Sequence, residues 1–109
     1  MNASTDVPMT ITPEAENGIA ELDMRRELEQ MISHVRKVVP GLAAIEVEVA
    51  ERYDTGGEPG INITAYSDQV FEPGSTFSWD FTRWEVEAFP PQVLEHLCIL
   101  FSPGRPDAR

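Results

Sequence analysis

One cysteine, Cys98, and one lysine, Lys37, are all that the 109 residues contain of either type. A lone thiol excludes an internal disulfide and agrees with a reducing compartment. Basic residues are scarce as a class, eight against nineteen acids, which leaves a net charge of -11. They occur as the pairs Arg25-Arg26 and Arg36-Lys37 within acidic stretches, with Arg52, Arg83, Arg105 and Arg109 scattered. Phosphate backbones are held by basic side chains that displace counterions, so neither nucleic acid nor an anionic membrane is an expected partner. No apolar run approaches the ~20 residues of a membrane span. The first residues show neither the positive region nor the apolar stretch of a signal peptide, and the cytoplasm is the expected location.

Metal and cofactor signatures are also missing. Two histidines and one cysteine match no zinc spacing. The stretch from 54 to 60 lacks the alternating oxygen ligands of a calcium loop, and its Gly56-Gly57 pair leads into a strand rather than into a helix that could cradle phosphate. A domain of this size has room for one core and little for an enclosed cofactor, so none is expected.

The remaining pattern is that of one α+β domain. Residues 1–12 have no clear period and read as an N-terminal arm, residues 13–102 as the domain, and 103–109 as a tail. Thr12 and Pro13 can open a helix, with Asn17-Gly18 as an alternative start. Ile19, Leu22, Met24, Leu28, Met31, Ile32, Val35 and Val39 then form an apolar stripe that runs to Pro40-Gly41. Residues 44–53 alternate in polarity, as do 61–66, which predicts an antiparallel hairpin closed by the 54–60 loop.

Residues 75–101 carry two competing periods. Phe77, Trp79 and Phe81 alternate like a strand, yet Phe77, Phe81, Trp84 and Ala88 keep helical spacing past Arg83, where the alternation fails. The helical reading predicts a three-stranded antiparallel sheet with two helices on one face, in the order α-β-β-α-β. The alternative is α-β-β-β-α, with a terminal helix opened by Pro91.

Three function classes fit. The first is a non-enzymatic, acidic protein-interaction domain, such as an adaptor, an antitoxin-like protein or an immunity-like inhibitor of a basic partner. Glu46 and Glu48 share one strand face at about 7 Å and would steer a cationic partner, and Tyr66 alternates outward on the next strand. Six aromatic residues crowd into residues 71–89, and Trp79, Val86 and Phe89 are the candidates for an apolar contact patch. The second class is a small-ligand or enzymatic domain with a dispersed site drawn from His34, Tyr66, Glu87, His96 and Cys98. No catalytic set is recognisable among them, and Cys98 reads as a small core residue of an apolar strand. The third is a homodimer formed through the open sheet face or a strand edge.

Overall fold

The computed structural model describes residues 7–50 and 60–104. The expected end of the first hairpin strand at 51–53, most of the 54–60 loop, and most of the arm and tail lie outside these residues. Nine elements follow in order: β1 (Met9–Ile11), α1 (Pro13–Leu22), α2 (Arg25–Val38), β2 (Ala44–Ala50), β3 (Gly60–Tyr66), a 3-10 turn (Gln69–Phe71), α3 (Phe77–Ala88), α4 (Pro91–His96) and β4 (Leu97–Ser102).

The class is α+β, but the sheet differs from the three antiparallel strands read from the sequence. It has four strands in the order β1-β2-β3-β4 and is mixed: β1 runs parallel to β2, β2 antiparallel to β3, and β3 parallel to β4. Its directions follow from the path of the chain. A return through helices brings a strand back parallel, whereas a direct hairpin reverses it. Each end of the sheet is thus a strand–helix–helix–strand crossover, and the β2–β3 hairpin joins the two. Three residues are too few for alternation to reveal β1, which falls within the stretch read as an arm.

Thr12 caps α1 as expected, its hydroxyl oxygen accepting from the Ala15 N–H at 3.2 Å, with Pro13 in the first helical turn. Gly18 lies inside the helix rather than at its start. A Cβ there would come within 3.1 Å of Ile61 Cδ1, so this glycine lets α1 approach β3 closely.

The long stripe is two helices rather than one, because the chain reverses at Asp23. The Asp23 N–H donates to the Ala20 carbonyl and the Met24 N–H to the Ile19 carbonyl, both at 3.2 Å. With Asp23 at φ 56° this is a Schellman motif, in which aspartate occupies the left-handed position that glycine fills most cheaply. Apolar residues continue in helical register on both sides of the reversal, so periodicity could not show it. Asp23→Gly is expected to raise stability by about 0.5–1 kcal/mol, measured by urea unfolding.

Phe77–Ala88 is helical, as the surviving helical spacing indicated. Pro91 still opens a helix, but a short one, and β4 follows directly. The alternative order α-β-β-β-α is thus not found: residues 77–88 form no strand, and of that reading only the helix start at Pro91 remains.

All four helices share one core with the inner face of the sheet. It contains Ala15, Ile19, Leu28, Met31, Ile32, Val35, Ile45, Val47, Ile61, Ile63, Ala65, Phe81 and Leu97. One buried polar side chain, Ser67, ties the layers together. Its hydroxyl donates to the Pro40 carbonyl and its N–H to the Ser102 carbonyl. Gly41 completes this corner at φ 61°, where any Cβ would collide with the Gln69 side chain.

Candidate functional site

With every helix on one side, the other face of the sheet has no layer over it among the described residues. Strand pleating sends alternate side chains there, and the register aligns them in rows. Glu48 lies opposite Asn62, which pairs with Cys98. Thr10 pairs with Glu46, Glu46 with Thr64, and Thr64 with Leu100. Ala44 pairs with Tyr66, and Tyr66 with Ser102.

The two rows that begin at Glu46 and Glu48 grade from charged on β2 to apolar on β4. Glu46 and Glu48 on β2 are the acids of this face, and no cation stands on it among the described residues. Leu100 on β4 is 43% exposed, two strand spacings from Glu46, or about 10 Å. The Tyr66 hydroxyl donates to Glu46 Oε1 at 2.6 Å, a short bond that fixes the Glu46 side chain over the sheet. The structure therefore brings Glu46, Glu48 and Tyr66 onto one surface.

It does not bring Trp79, Val86 and Phe89 to that surface. Trp79 and Val86 lie two turns apart on α3, 78% and 64% exposed, in the layer on the opposite side of the sheet. Phe89 is buried, its ring packed edge-on against Trp84 with centroids 5.4 Å apart. A contact patch on α3 would consist of Trp79 and Val86 without it.

The residues of the dispersed-site reading also stand apart. Cys98 faces the open side of the sheet and is partly exposed, so it is not the core residue that its apolar neighbours implied. His96 ends α4 instead of sharing a strand face with Cys98, and Glu87 is exposed on α3. Tyr66 and Cys98 share a face but are separated along it by four residue positions, about 13 Å. His34 lies elsewhere, between α2 and α3. No group of three or more metal-ligating side chains forms among the described residues.

A second feature was missed from the sequence. The His34 imidazole stacks on the Trp84 indole with centroids 3.7 Å apart and planes 6° from parallel. Burial holds this histidine below its ordinary pKa, and the nearby Lys37 charge acts in the same direction. On the same helix as Trp84, the Glu85 carboxyl is pushed up to about 7 by burial. No periodicity marks the stack, because it depends on how α2 and α3 pack together. No family model, curated protein or solved structure matches the chain.

Proposed function

We propose that the protein is a small protein-interaction domain that docks a basic partner on the open face of its sheet. The observation that carries this reading is the uncovered face itself. It is graded from Glu46 and Glu48 to Leu100, bears no described cation, and belongs to a chain of net charge -11. Acidic residues beside an apolar anchor give both electrostatic steering and a desolvated contact, the two features a cationic protein surface needs. An adaptor or an inhibitor of a basic enzyme would use such a face. Catalysis by Glu46 and Glu48 has less support, since a carboxylate pair acting on sugars needs a cleft around it and these stand on an open sheet.

The test begins with capture of a basic protein at low salt, followed by affinity measurement with that protein purified. The combined Glu46→Gln and Glu48→Gln variant is expected to bind about tenfold more weakly, a loss of about 1.4 kcal/mol, and with a shallower salt dependence. Equal affinity of variant and wild type at low and high salt would overturn the reading. So would loss of binding on Trp79→Ala with Val86→Ser while the two glutamines are tolerated.

A further inference from the structure

The charge of the chain is distributed unevenly. Helix α2 carries Arg25, Arg26, Arg36 and Lys37 against Glu27 and Glu29, a sum of +2 in a chain of -11. Arg25 is engaged by Glu16 at 2.7 Å, and Arg36 donates to the Val7 carbonyl at 3.1 Å. Arg26 and Lys37 lie within ion-pair reach of no described carboxylate.

These two cations stand at the ends of a cleft of about 500 Å³ between α2 and the last turn of α3. Eleven residues separate them, close to three full helical turns, so they fall on one line along α2, about 16 Å apart. Between them the floor changes character. His34 stacked on Trp84, with Ala88 and Phe89, forms an apolar and aromatic middle, while Gln30 and Ser33 supply neutral polar groups. Among the described residues Glu29 is the one acid of the lining, and these side chains sum to a charge of +1.

We infer that this cleft binds a short, extended peptide segment in which two carboxylates flank an apolar side chain. Length selects this occupant. About 16 Å corresponds to five residues of extended chain, far more than a single small anion spans, and the cleft is open along its length rather than closed over a metabolite. Charge complementarity places the carboxylates at Arg26 and Lys37, and the Trp84–Phe89 wall takes the apolar residue. The acidity of the whole chain does not prevent this. At physiological salt, charges farther than about 8–10 Å are screened, so the cations at the rim dominate at contact. The inference is independent of the sheet face, which lies on the other side of the molecule.

The test uses the full chain carrying Trp79→Phe, a change at an exposed position that leaves Trp84 as the only indole. The probe is acetyl-Glu-Ala-Leu-Ala-Glu-amide, titrated against Trp84 fluorescence. A saturable change is expected, weakened at least tenfold by Arg26→Glu or by Lys37→Glu in proteins whose circular dichroism is unaltered. The same peptide with glutamine in place of both glutamates is expected to give no saturation. Equal responses to the two peptides, or insensitivity to both charge reversals, would overturn the assignment. Inorganic phosphate producing the same saturable signal would overturn it too, by showing that a small anion suffices.

Discussion

Phe81→Ala is expected to lower the free energy of unfolding by about 3–5 kcal/mol, read from urea or thermal denaturation. Phe81 is 2% exposed and joins three elements through its ring. Its centroid lies 5.4 Å from His34 on α2, 5.9 Å from Phe77 and 5.4 Å from Trp84 on α3, and 5.3 Å from Phe101 on β4. All four separations fall in the range where ring pairs add stability beyond their buried area. Alanine would leave a void faced by four rings, which cannot all move inward because they are anchored on three different elements. The loss should therefore lie in the upper part of the range for large core truncations. Phe81→Leu keeps most of the volume and should cost about 1.5 kcal/mol or less. A loss under 1 kcal/mol for alanine would mean that α3 is held to the sheet by other contacts.

The ring cluster also shows what the sequence could and could not reveal. Phe77, Phe81 and Trp84 were identifiable as one helical face because spacing survives where strand alternation breaks at Arg83. Their partners His34 and Phe101 were not, since each lies more than fifteen residues away along the chain. The same limit explains the sheet. The β2 and β3 faces follow from alternation alone, which is why the sequence itself points Glu46, Glu48 and Tyr66 away from the apolar side of their strands. The direction of β4 depends on the whole path through α3 and α4, and β1 is too short to show a period. Asp23 could not be read as a chain reversal because its apolar neighbours stay in helical register on both sides. Grouping Trp79 with Glu46 assumed that outward residues share one outside. In a two-layer domain with an open sheet there are two outsides, and only the layering assigns each residue to one.

Glu85 supplies the other large effect, a dependence of stability on pH. Its carboxyl titrates near 7 in the folded protein against 4.5 for an unburdened glutamate, because packing on α3 strips away part of its hydration. It also sits in the last helical turn, where the negative end of the dipole opposes a carboxylate and no basic residue offsets it. Below pH 4.5 both folded and unfolded states hold the proton, and Glu85 costs nothing through ionisation. Between 4.5 and 7 the unfolded chain releases its proton first, so stability falls as pH rises; above 7 the penalty is complete and constant. The full shift would amount to about 3 kcal/mol, but the group is only partly buried and water screens it, which reduces the expected loss to about 1–2 kcal/mol. Repulsion within a chain of net charge -11 lowers stability in the same direction, so the wild-type profile alone cannot isolate this residue. Glu85→Gln can, because it keeps the shape and removes the titration. Urea unfolding of both proteins should show the glutamine variant gaining about 1–2 kcal/mol relative to wild type between pH 5 and pH 8. A difference between the two proteins that stays constant across that interval would show that Glu85 ionises as freely in the fold as in the unfolded chain.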